Sequence, residues 1–224
     1  MVKIILISLL FAVGFCSEAQ AQLKAPEEVK LDAFLSEVEY SSDNPDAVEL
    51  VFWLPLAFWE VSVAQDETLR QEDYLAIADM VSEYNLFAVV KGNIGYFGGV
   101  TYETVDAILK DFSVTYQGSP LTAISQDDLS ADLKSFANLM QPMMASMLGP
   151  LGENMHFIFM GSPKGAIDPL GNGDFSFQLG EFQRTIDLPL GSLLEDKICP
   201  TDNALLSGKW NYCPFHGKKL SPKQ

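Results

Sequence analysis

Leu86-Phe87-Ala88-Val89-Val90-Lys91, then Gly92-Asn93, then Ile94-Gly95-Tyr96-Phe97-Gly98-Gly99-Val100, is the stretch on which the fold turns. The first six residues are mostly β-branched, aromatic or aliphatic, as a strand requires, and Gly92-Asn93 is a turn signal. The glycine-rich continuation reads as a twisted or bulged partner strand. A hairpin here places antiparallel pairing at the middle of the chain.

Working back from it, Thr68 followed by Gln71 fits a capping box, and Tyr74, Ile77, Ala78, Val81 and Tyr84 form a helical stripe ending near Asn85. Val48, Leu50, Phe52 and Leu54 alternate as a strand until Pro55 removes a ladder donor, and Trp59, Val61 and Val63 alternate with Glu60 and Ser62 as a second extended segment. Before these, Pro26 suits a first helical residue, and Leu31, Phe34, Leu35 and Val38 recur at helical spacing until Ser41 to Pro45 stops the pattern.

Working forward, Val105, Ile108, Leu109 and Phe112 give a short helical face, followed by extended Val114 to Tyr116 and a turn at Gly118 to Pro120. Ser125 with Asp128 fits another capping box. Leu129, Leu133, Phe136, Met140, Met143 and Met147 continue one stripe to Gly149, which Pro142 is expected to kink or split. Met155 to Met160, Phe175 to Leu179 and Arg184 to Leu188 read as strands, with a turn at Gly171 to Gly173. Without an internal repeat, these segments predict an α+β domain: a largely antiparallel sheet with helices packed on one face.

The chain has 224 residues, 48% of them hydrophobic, and a formal charge of -16. That apolar content excludes wholesale disorder, and the negative charge excludes nucleic acid as a partner, because phosphates are met by basic faces. Residues 1–21 read as a signal peptide: Lys3, an apolar run from Ile4 to Phe15, and Ala19-Gln20-Ala21, suited to cleavage before Gln22. The run is too short for a transmembrane helix and no later stretch is longer, so the expected product is a soluble secreted or periplasmic protein. Lipid attachment at Cys16 competes with this reading, but Phe15 stands where lipoprotein signals want a small side chain.

Residues 22–198, the acidic domain, carry 9 basic and 28 acidic side chains, whereas residues 199–224 carry four Lys against Asp202 alone. This shift from -19 to +3 marks a module boundary at Cys199.

Within the acidic domain each chemical reading has a plainer one beside it. Met140, Met143, Met144 and Met147 could form an adaptable groove or a soft-metal site, but their spacing suits a buried stripe. His156, on the strand face opposite Met155 and Phe157, reads as a hydrogen-bonded structural histidine. Asp168, Asn172 and Asp174 offer calcium-type oxygens without an EF-hand spacing, and like Asp43-Asn44-Pro45-Asp46 they read as a turn. Trp53, Phe58 and Trp59 could stack on sugars, but their places in predicted strands favour burial. With two histidines, no phosphate-binding loop and no dinucleotide fingerprint, no catalytic constellation emerges.

The tail reads Cys199-Pro200-Thr201-Asp202, ten residues, then Cys213-Pro214-Phe215-His216-Gly217-Lys218-Lys219-Leu220. From Tyr212 to Leu220 it resembles the second knuckle of a zinc ribbon, with His216 in place of the second Cys; Asp202 stands at the second ligand position of the first knuckle. The resemblance covers the last 26 residues and implies a small hairpin module with structural zinc held by Cys199, Asp202, Cys213 and His216. Two ligands separated by two residues can turn onto one ion, and zinc accepts S, O, S and N together. A Cys199–Cys213 disulfide is the alternative, favoured by an oxidising milieu, and it excludes the thiolate pair.

The reading is thus an exported, non-enzymatic binding or structural protein whose partner, a protein or small ligand, is left open. One alternative is a secreted metal-dependent hydrolase using His156 and carboxylates. Another is a carbohydrate or peptide binder with Trp53 or Trp59 exposed at a groove.

Overall fold

The computed structural model describes residues 22–223. The signal-peptide reading of residues 1–21, and Cys16 with it, lies outside the described residues. In chain order the first elements are α1 (Leu31–Val38), β1 (Glu39–Ser41), β2 (Ala47–Trp53), α2 (Leu56–Gln65), α3 (Gln71–Val81) and β3 (Asn85–Ile94). Then come β4 (Val100–Tyr102), α4 (Val105–Asp111), β5 (Phe112–Tyr116), β6 (Ser119–Pro120), β7 (Thr122–Ala123) and α5 (Ala131–Leu148). The rest are α6 (Pro150–Glu153), β8 (His156–Gly161), β9 (Gly173–Leu179), β10 (Phe182–Leu188), β11 (Lys197–Ile198), β12 (Leu205–Leu206) and β13 (Ser221–Pro222).

All strand pairs among the described residues are antiparallel, as the hairpin reading predicts. The central sheet runs β1-β2-β3-β8-β7 with β4 also on β3; a second runs β10-β9-β5-β6, and a third β12-β11-β13. One face of the central sheet, through Leu50, Phe52, Leu86, Ala88, Phe157 and Phe159, buries against Trp59, Val81, Leu133, Phe136 and Met140 of α2, α3 and α5. The other, through Val51, Trp53, Phe87, Val89, Ile158 and Met160, buries against Phe112, Phe175 and Phe177 of the second sheet and Phe34 of α1. The helical layer lies where expected, and a second sheet covers what a single-sheet reading leaves open. Strand β3 is buried on both sides, which is why residues 86–90 are continuously apolar instead of alternating.

Several local expectations are corrected. Trp59, Val61 and Val63 belong to helix α2, not to a strand. Trp59 enters the core beneath the helices while Val61 enters the core between the sheets, so an all-round apolar helix mimics a two-residue period. Thr68 bonds Asp66, and the start of α3 is closed from one side, by Asp73, whose Oδ2 accepts the Arg70 amide at 2.7 Å. Ser125 and Asp128 close a turn, and Ser130 caps α5 by accepting the Leu133 amide at 3.2 Å.

Pro142 lies inside an unbroken α5: the carbonyl it leaves unpaired belongs to exposed Asn138, within reach of water. The break comes at Gly149, whose φ of +58° suits glycine. Gly92 is a strand residue, not a turn: it pairs with Val48 on one side and Tyr102 on the other, and a side chain there would meet Val100 Cγ1 at 2.9 Å; the turn lies at Gly95 to Gly99. The methionine stripe divides, Met140 being buried while Met143 and Met147 are exposed.

Candidate metal centre

The third sheet is two hairpins built around two turns. In the first, the Cys199 amide donates to the Ala204 carbonyl at 3.0 Å and the Asn203 amide to the Cys199 carbonyl at 2.9 Å. In the second, the Cys213 amide donates to Lys218 at 2.8 Å and the Gly217 amide to Cys213 at 2.9 Å. The two frames are the same: residue i is Cys, residue i+3 is Asp202 or His216, and residue i+4 is left-handed, with φ of +60° at Asn203 and +62° at Gly217. Asparagine and glycine tolerate that conformation best.

Each turn aims amides at its sulfur, those of Thr201 and Asp202 at Cys199 and those of His216 and Phe215 at Cys213. Burial pushes the Cys199 thiol up. At Cys213 desolvation also pushes up, but the amides of His216 and Phe215 together with the side chains of Cys199 and His216 hold the thiol below its ordinary value.

Nδ1 of His216 lies 3.5 Å from Sγ of Cys199 and 3.5 Å from Sγ of Cys213. The three donor atoms all lie within 4.8 Å of one another, and both cysteines are buried free thiols. Two thiolates and an imidazole are a donor set that suits a borderline-soft divalent ion. Asp202 stands at the rim: Oδ2 is 3.8 Å from His216 Nδ1, while Oδ1 accepts the Ala204 amide at 3.1 Å. That amide, followed by Cys199, holds the Asp202 carboxyl below the usual carboxylate range. Four of the residues singled out in the tail therefore share one place, three of them as a tight cluster.

Other parts of the module carry no ligand signal and are harder to read from sequence. Lys197 is buried on β11, and its Nζ donates to the Trp210 carbonyl at 2.9 Å and to Asn211 Oδ1 at 3.3 Å, which fastens the second hairpin to the first. Asn203 announces itself only by standing where Gly217 stands in the other turn. The sheet begins at Lys197, two residues before the composition shift. Toward the preceding part of the chain, Lys209 Nζ donates to the Asp187 carbonyl at 2.9 Å, and Lys24 lies 3.6 Å from Asp196.

The remaining candidates stay apart. His156 Nε2 bonds the Glu103 carbonyl at 3.2 Å, and the cavity it lines is bordered by Val105, Gln126, Asn138 and Gln141 with no carboxylate side chain. Asp168 forms a turn, accepting the Leu170 amide on Oδ1 and the Gly171 amide on its carbonyl. Trp53 and Trp59 are buried, so neither offers a stacking platform. Among the described residues no helix is long and apolar enough to cross a membrane. Comparison of the chain with protein-family models, curated proteins and solved structures finds no match.

Proposed function

We propose that this is an exported, non-enzymatic binding or structural protein whose C-terminal residues form a zinc-ribbon-like module around one structural zinc ion. Cys199, Cys213 and His216 are its ligands, with Asp202 as the fourth. The observation that carries this reading is the pair of equivalent turns converging on one point. Around tetrahedral zinc, with bonds of about 2.3 Å to sulfur and about 2.0–2.1 Å to nitrogen, a sulfur and a nitrogen are separated by about 3.6 Å. Both sulfur to Nδ1 distances, at 3.5 Å, match that edge.

Energetics support the same reading. The module's buried core is Cys199, Cys213 and Leu220, with Ala204 and Leu206 against it. A core that small does not offset the conformational entropy of ordering two hairpins, and a metal supplies what burial cannot. Four protein donors leave no open position for a substrate, which favours a structural over a catalytic ion. Export rests on residues 1–21, and the -16 charge argues against nucleic acid. The hydrolase alternative lacks carboxylates around His156, and the sugar-binding alternative lacks an exposed Trp53 or Trp59.

The test is elemental analysis and thiol counting on mature chain purified without reductant. One zinc per chain, with two thiols that react only after chelation, is the expected result; Asp202→Ala should keep the metal but release it faster. Metal-free protein without titratable thiols would identify the disulfide and overturn the reading.

A further inference from the structure

We propose that the tip of the β3–β4 hairpin is a finger that inserts into the interface of a zwitterionic lipid bilayer. Tyr96 and Phe97 form its apex with 97% and 96% of their surface exposed, more than any other large aromatic side chain among the described residues. Their rings meet edge to face at 5.2 Å and so present one joint apolar surface. The turn beneath them is closed by the Gly95 amide on the Gly99 carbonyl at 2.7 Å and the Gly98 amide on Gly95 at 2.8 Å. Burial within the chain therefore does not account for the two rings, and the turn does not require them.

Behind the apex, Ile94 pairs with Val100, Asn93 with Thr101 and Gly92 with Tyr102. Along the hairpin the first charges are Lys91 and Glu103, which lie 3.4 Å apart, with Asp111 2.6 Å from Lys91. Asp46 sets the charged level beside Ile94, and from Ile94 to the apex at Phe97 three residues reach at most about 10 Å. That matches the roughly 5–10 Å to which interfacial segments bury their apolar face. Aromatic rings flanked by small residues are favoured at this depth, and a phenol can keep its hydroxyl among headgroups.

Charge selects the kind of bilayer. The whole chain carries -16, and Asp46, whose carbonyl accepts the Ile94 amide at 2.9 Å, stands exposed beside the finger. An anionic surface is repelled by both. A zwitterionic headgroup instead turns its ammonium outward, toward Asp46 and toward the ring faces that attract such cations.

The test is sedimentation of the mature chain with phosphatidylcholine vesicles, beside vesicles containing phosphatidylglycerol, at low and physiological salt. The expected result is partition onto phosphatidylcholine, weaker on the anionic vesicles at low salt. A Tyr96→Ser/Phe97→Ser double variant with unchanged circular dichroism should lose about tenfold or more, from the apolar area removed. In Phe97→Trp, lipid brominated near the headgroup should quench a larger fraction of the emission than in the parent, whose tryptophans are Trp53, Trp59 and Trp210. Absence of partition, or equal partition of the double variant, would overturn the proposal. So would burial of the rings against another protein, read as concentration-dependent self-association or a stoichiometric complex that the double variant abolishes.

Discussion

Gly217→Ala tests whether the second turn must be left-handed for the module to close. A Cβ at Gly217 has no atom within 4 Å, so the substitution meets no steric obstacle and its effect is conformational alone. Holding alanine at φ of +62° costs about 1–2 kcal/mol. If metal binding and closure of the turns are one equilibrium, that energy is lost from the metal affinity, which should fall about 5- to 30-fold. Asn203→Gly is the converse: it relieves the same strain in the first turn at φ of +60° while adding backbone entropy to the unfolded chain, so affinity should stay within about threefold. Competition for zinc against a chromophoric chelator, at fixed pH and salt, measures both. Parental affinity in Gly217→Ala, or an equal loss in Asn203→Gly, would refute the reasoning.

Two further outcomes concern the main domain. Burial, helped by Glu37, raises the Tyr40 hydroxyl above its ordinary value, so the fold holds that proton more tightly than the unfolded chain does. The resulting stability is fully present below about pH 10 and is lost as pH rises through the raised folded value; urea titrations from pH 8 to 12 should therefore slope less for Tyr40→Phe. Identical slopes would count against it. Phe136 packs edge-on against Trp59 at 5.3 Å and Phe159 at 6.4 Å, tying α5 to the central sheet, so Phe136→Ala should destabilise by about 3–5 kcal/mol in chemical denaturation. A loss below about 1 kcal/mol would mean the helical layer is not anchored there.

What was legible in the sequence was mostly local. Helices α1 and α4 and strand β9 announce themselves because each has one face in a core and a period to match, whereas β2, buried on both faces, is announced by the alternation of Val48, Leu50 and Phe52 with Glu49 and by Pro55 beyond it. Helix α2 does not, since Trp59 and Val61 enter different cores and no polar face is left to set the phase. The alternation of Phe175, Phe177 and Leu179 announces a buried face but not what covers it: that depends on β5 pairing with β9 across some sixty residues of chain. The candidate metal cluster is readable because Cys199 and Asp202, and Cys213 and His216, are each three residues apart; Lys197 and Leu220, which pack around it, carry no such spacing. Tyr96 and Phe97 read as ordinary strand content, because exposure is invisible to a pattern that counts apolar residues.

The position of β3 has a consequence for synthesis. Its partners are residues 47–53, 100–102 and 156–161, so the hub strand stays incomplete until well over half the chain has left the ribosome. Sheets assembled from such distant segments close slowly, and a polypeptide that cannot finish its hub early stays threadable through a translocation channel. If the chain is exported, as proposed above, it gains from that delay, because the late arrival of β8 postpones the native state until passage can begin.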